Sequence, residues 1–140
     1  MMKKLLITVM ALILPTSLVL AHPTQLSPSP KDAQLYIITP KDGATVKETF
    51  TVKFGLKGMG VAPAGVDKAK TGHHHLIIDG ELPDLDKPMG KDVMHFGGGQ
   101  TEKTLTLPKG KHTLQLILGN HLHIPHKPAV ISEKITITVE

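Results

Sequence analysis

All but one of the nine histidines in this chain fall between His73 and His126, and they come in groups. Gly72-His-His-His75 is the first. His95 stands before Phe96 and three glycines, and His121-Leu-His123-Ile-Pro-His126 follows. Imidazole is the commonest protein metal ligand and the one side chain whose ordinary titration lies near neutral pH. Such density in a chain without cysteine points first to a bound metal ion. Paired imidazoles at i, i+2 spacing suit Cu(II), Zn(II) or Ni(II) and disfavour oxygen-seeking Mg(II) and Ca(II). The Irving–Williams order favours copper at a nitrogen-rich site, with zinc next. Met59, Met89 and Met94 offer thioether donors for Cu(I); ordinary packing is the plainer reading of each taken singly.

For these residues to share an ion, the fold must bring them together. Short β signals separated by turns run along the chain. Tyr36 to Thr39 is followed by the turn sequence Pro40-Lys-Asp-Gly43. Phe50 to Leu56 alternates apolar and polar residues, as a half-buried strand should. His73 to Asp79 and Thr104 to Leu107 are further segments, and Pro108-Lys-Gly-Lys111 turns into His112–Leu118. Ile131 to Val139 closes the chain in period two. Outside the first twenty residues nothing has convincing helical periodicity. The pattern predicts an all-β fold, an immunoglobulin- or fibronectin-like sandwich of about seven strands.

In that architecture the segments 73–79 and 111–118 are strands C and F, antiparallel neighbours, so the start of one lies near the end of the other. His73 and His75 then meet His121, His123 and His126 at one rim. His95, just before strand E, belongs to the same end, whereas His112 lies at the opposite one. Side-chain alternation puts His73 and His75 on one face with Ile77 and Asp79, and His74 on the other with Leu76 and Ile78. The expected ligand set is His73, His75, His95, His121, His123 and His126, with His74 a weaker candidate. Asp79 and Glu102 are candidates to orient a histidine from behind. Histidines gathered at a rim have a second reading, a pH-sensitive surface whose members repel one another when protonated.

The amino-terminal residues bear on the compartment. Lys3 and Lys4, the apolar run Leu5–Leu14, Pro15 and the small residues up to Ala21 fit a secretory signal peptide cleaved after Ala21. Residues 22–33, rich in proline and serine, read as a flexible tether before a single domain over 34–140. Cleavage would expose His22, whose amine and imidazole together could chelate Cu(II). The expected location is periplasmic, with no membrane span after cleavage. No disulfide helps this fold, which must rest on packing.

Several functions are disfavoured. The formal charge is only +4, and Lys3 and Lys4 depart with the signal; every basic residue is lysine, with no arginine for bidentate phosphate contacts. Nucleic-acid binding is therefore not expected. His95-Phe-Gly-Gly-Gly99 resembles a lipase oxyanion loop, but no Gly-x-Ser-x-Gly nucleophile elbow accompanies it. Its glycines are read as giving close backbone approach or positive φ. Asp79, Asp84 and Asp86 lack the spacing of a calcium loop. One Tyr, three Phe and no Trp make a poor platform for carbohydrate.

Pro40–Val46, Gly58–Gly65, Thr71–Asp79, His95–Glu102 and Leu118–His126 resemble the motifs of a family of small exported bacterial proteins catalogued as a domain of unknown function. The likeness spans about residues 36–140. It implies export and a single domain and brings no activity or ligand set. Family members often carry a second histidine two positions before the one matching His95, where this chain has Val93. A looser analogy is to periplasmic copper-binding β-sandwich proteins. The expectation is a non-catalytic periplasmic protein that buffers copper or passes it to a metal-handling partner. The alternative is an envelope interaction domain whose histidine-rich rim takes a protein, peptide or anion in a pH-dependent way.

Overall fold

Alternation decides the strands. In β3 (Thr49–Lys57) Val52 and Phe54 are buried while Lys53 faces solvent. In β8 (Gly110–Gly119) Leu114, Leu116 and Leu118 are fully buried on one face. In the computed structural model, which describes residues 27–140, nine strands form two sheets. The expected signal peptide and His22 lie outside the described residues. The other strands are β1 (Gln34–Thr39), β2 (Thr45–Val46), β4 (Gly60–Val61), β5 (Thr71–Ile78), β6 (Met94–His95), β7 (Glu102–Thr106) and β9 (Ile135–Val139).

One sheet has the order β1-β3-β7, and the other β2-β9-β8-β5-β4, with β6 added to β5. Together they make the all-β sandwich that the sequence predicts. The count exceeds seven because β2, β4 and β6 are two-residue pairings formed inside loops and turns. The last strand starts at Ile135 rather than Ile131. Before it, Ile131 makes an isolated bridge to Ile117, and the Ser132 hydroxyl accepts the Leu116 N–H at 2.8 Å. Two turns use glycine as expected: Gly43 (φ 77°) after β1 and Gly110 (φ 133°) between β7 and β8.

The sandwich core gathers Val52, Phe54 and Leu105 from the first sheet, with Leu76, Leu114, Leu116, Leu118 and Ile137 from the second. Burial of each large side chain there contributes roughly 1.5–3 kcal/mol. A second, smaller cluster lies on the outer face of the larger sheet. Ile77, Ile117 and Val93 form it, and Leu85, Met89 and Ile131 from the connecting segments cover it. The long connection from β5 to β7 thus roofs the outer face of the sheet, which supplies a dry environment outside the main core. Residues 27–33, read as tether, are fastened at their start: Pro28 pairs with Lys127, and the Ser29 hydroxyl donates to the Pro128 carbonyl at 2.6 Å. Among the described residues no helix is long and apolar enough to cross a membrane.

Candidate metal centre

β5 and β8 run antiparallel in the register His73↔Gly119, His75↔Ile117, Ile77↔Gln115. On its other side β5 pairs with β6, which sets His95 directly opposite His75. Strand alternation carries the rings of His73 and His75 to the outer face, with Ile77, and sends His74 into the sandwich core against Phe54, ring centroids 5.1 Å apart. His123 follows β8 in a tight loop organised by Asn120. The Asn120 side-chain carbonyl accepts the N–H groups of Leu122 and Ile124 at 2.9 and 3.0 Å, and its backbone carbonyl accepts the His123 N–H at 2.9 Å. His123 itself has φ 65°, a left-handed conformation that costs a non-glycine residue about 1–3 kcal/mol.

Four imidazoles meet as a result. One ring nitrogen from each of His73, His75, His95 and His123 lies within 4.8 Å of all the others. His73 Nε2 is 3.0 Å from His123 Nδ1 and 3.2 Å from His95 Nε2. A nitrogen carries either a proton or a lone pair, so His73 Nε2 cannot donate to one neighbour while accepting from the other. A cation shared by the lone pairs satisfies all of them at once. Metal–nitrogen bonds of about 2.0–2.1 Å put adjacent ligand nitrogens roughly 3 Å apart, the separation of His73 Nε2 from its two neighbours.

The surroundings of His73, His75 and His95 favour the neutral ring. His73 and His75 are fully buried. Burial, reinforced by His123 and His95, holds the His73 pKa down to about 4. Burial, with His73 and His95 as the nearest like charges, takes His75 to about 3. His95 is exposed at the mouth and is also lowered, by desolvation and by His123. His73 Nδ1 and both ring nitrogens of His75 are buried without a hydrogen-bond partner. Unprotonated, unpartnered imidazole is the form that ligates a metal, and no carboxylate joins the cluster.

Small residues make the room. A Cβ on Gly119 would stand 2.7 Å from the His75 ring, and one on Gly97 would stand 2.3 Å from that of His95. Gly97 therefore explains the first of the three glycines after Phe96, and Gly99, at φ 80°, explains the last. The connection from β3 to β5 braces the assembly, since Ala64 N–H donates to Gly97 and Gly65 N–H to His121. A recess of about 280 Å³ opens beside the cluster, lined by His75, His95, His123, Met89 and Lys91 among others.

Two of the six expected ligands are placed elsewhere. His121 turns to Asp67, Nδ1 to carboxylate 3.5 Å. His126 is buried with Nε2 3.0 Å from the Thr71 carbonyl and Nδ1 3.4 Å from that of Leu118; burial lowers its pKa, and the neutral ring donates to one of the two, the Thr71 carbonyl being the nearer. It lines a separate recess of about 520 Å³ between residues 27–30 and 67–71. The i, i+2 pairing of His121 with His123 does not hold because residues 120–123 form a turn rather than a strand. His112 is at the opposite end, as expected. Asp79 bonds His112 at 2.6 Å instead of supporting the cluster, and Glu102 faces Lys53. Asn120 carried no sequence signal beyond its place before the histidine group.

A β-sandwich with a four-histidine cluster under the loops of its outer face is the class that fold and site define. Residues 52–140 match the domain of unknown function DUF4399, and the chain belongs to that family. The matched stretch contains all four clustered histidines. No curated protein matches the chain. Among solved structures, the endo-β-1,4-mannanase from Thermotoga petrophila aligns with 79% of this chain and 20% of its own, at 19% identity and a TM-score of 0.47. This chain therefore spans only a small part of that enzyme's length.

Proposed function

We propose that this protein binds one copper ion through His73, His75, His95 and His123, with zinc the next cation in preference. The observation that carries the reading is the contact of His73 Nε2 with two other imidazole nitrogens at 3.0 and 3.2 Å. Hydrogen bonding satisfies only one such contact; a shared cation satisfies both. Four imidazole nitrogen donors without carboxylate favour Cu(II) over the other divalent ions by the Irving–Williams order. A donor set supplied wholly by protein side chains is the mark of a site that holds metal rather than activating a substrate on it. The exposed edge at His95 gives the ion a way in and out. That combination suits a non-catalytic protein that buffers copper or hands it to a metal-handling partner. The signal-like amino terminus supports a periplasmic setting.

The test is metal analysis of untagged protein purified from the periplasm, followed by competitive Cu(I), Cu(II) and Zn(II) titration. The reading expects near-stoichiometric metal that withstands strong chelators, and loss of that binding when His73 and His75 are replaced by alanine. Weak, unselective uptake that the double substitution leaves unchanged would overturn it. Binding of a peptide or anion that varies with pH in the presence of chelator would favour the interaction-domain reading instead.

A further inference from the structure

Three methionines lie within the described residues, and they have different surroundings. Met59 and Met94 pack against the sandwich core with Leu76 and its neighbours. Met89 belongs to the outer cluster with Ile77, Val93 and Ile117, and it lines the recess onto which His75, His95 and His123 open. Its terminal methyl and the His75 ring crowd the same point: a Cβ on Gly119 would meet Met89 Cε at 2.8 Å and His75 Cε1 at 2.7 Å. The backbone fixes this placement, because Met89 N–H donates to the carbonyl of His123 at 2.9 Å. The ligand loop and the methionine are thus tied together, and the missing side chain of Gly119 lets the Met89 methyl and the His75 ring approach one another over it.

We propose that Met89 supplies a thioether donor to the four-histidine centre, so that the site retains copper as Cu(I) as well as Cu(II). Thioether sulfur is a soft donor that selects Cu(I), whereas imidazole serves both oxidation states and zinc. This rests on the copper reading of the same site and adds an oxidation-state preference to it. Met94, although adjacent to His95 in sequence, has no such role, since strand alternation turns it to the opposite face.

Met89→Leu keeps size and apolarity, a replacement that cores usually tolerate. Cu(I) affinity, measured by chelator competition under reducing conditions, should fall about tenfold or more while Cu(II) and zinc affinities stay unchanged. A tenfold selective loss lowers the reduction potential by about 59 mV, the one-electron equivalent. Met94→Leu should change none of these values. Copper K-edge X-ray absorption of the wild-type Cu(I) protein should show a sulfur scatterer, a readout independent of how the variant folds. Equal losses for Cu(I), Cu(II) and zinc, no loss at all, or a nitrogen-only Cu(I) shell would each overturn the role of Met89 while leaving the copper reading intact. A wild-type protein that binds no copper would instead end that reading, and this inference with it.

Discussion

The β5–β8 strand pair carries histidines at both of its ends, and the two ends treat them in opposite ways. At the far end His112 has a protein partner on each nitrogen: the Asp79 carboxylate at 2.6 Å and the Pro108 carbonyl at 2.8 Å. Those partners raise its pKa, the Asp79 bond foremost. At the near end His73 and His75 are buried, held far below the ordinary imidazole value, and directed at other imidazoles. One end uses protonated histidine as a clasp. The other gathers imidazoles whose nearest polar neighbours are one another, with His73 Nδ1 and both nitrogens of His75 left without a partner. His126, a few residues from the cluster yet bonded to the Thr71 carbonyl, shows that closeness does not make a ligand. What separates the groups is whether a carboxylate or carbonyl occupies the ring, together with the face it points to: His74 also lacks partners but is turned into the core, away from the cluster.

The largest expected effect follows from that difference. An ion that binds only the folded cluster adds about 4 kcal/mol of stability when free ion exceeds its dissociation constant a thousandfold. His75→Leu should abolish this copper-dependent gain in a denaturant titration. The same substitution should leave the metal-free protein as stable as wild type or more so, because replacing an unsatisfied buried polar group with an apolar one of similar shape is near neutral or favourable. His126→Leu should do the reverse. It deprives the Thr71 carbonyl of a partner and lowers metal-free stability by about 1–3 kcal/mol, while the copper-dependent gain persists. If His75→Leu destabilises the metal-free protein as much as His126→Leu, the distinction between reserved and structural histidines collapses.

A smaller effect is expected behind the ligands. Asn120 is almost fully buried and holds the turn that puts His123 in its left-handed conformation. In Asn120→Ala the N–H groups of Leu122 and Ile124 lose their acceptor, at a cost of about 1–3 kcal/mol. Copper affinity should fall about 10–100-fold, the usual consequence of removing a group that orients a ligand. Isothermal titration and a urea midpoint measure the two losses. Unchanged copper affinity would mean that the ion itself, and not the turn, positions His123.

The sequence made much of this legible, and the limits have physical causes. Period-two alternation is a local property, so β3, β5 and β8 and the inward or outward choice for His73, His74 and His75 could be read from it. Antiparallel pairing of β5 with β8 follows from sandwich topology, and it places His73 and His75 beside the loop that holds His123. The place of His95 before strand E puts it at the correct end, but what delivers it is a two-residue pairing with β5, too short to leave a pattern in sequence. His121 departs from the i, i+2 pairing with His123, and His126 from a place at the shared rim, because the turn at Asn120 rotates each ring to a different side. Turn geometry depends on which carbonyls and side chains come to hand after folding, and the bare spacing of histidines does not encode that. The site also sits on the outer face beneath the β5–β7 connection, not on an open rim, since Leu85, Met89 and Val93 have apolar surface to bury there.

The weakest effect lies at the satisfied end and has a pH signature of its own. His112 has a raised pKa, so its contribution is fully present below the ordinary imidazole value of about 6.5 and disappears as pH rises through the folded value. For Asp79, burial acts upward, but the hydrogen bonds from His112 and the Thr113 N–H prevail and its pKa is lowered. Its share is present above about 3.9 and is lost on acidification through the folded value. The clasp is therefore complete between those two ordinary values and fails on the alkaline side. Asp79 is 47% exposed, which limits the pair to about 1 kcal/mol or less. Urea midpoints of wild type and His112→Gln should differ at about pH 5.5 and converge as pH rises through the folded His112 value. Copper affinity should be the same in both proteins, because the clasp lies at the other end of the strand pair from the four-histidine cluster. A stability gap that persists undiminished at alkaline pH would show that His112 acts through packing and not through its charge. A loss of copper affinity in the same variant would show that the two ends are coupled along β5 and β8, and would break the division of labour on which the comparison stands.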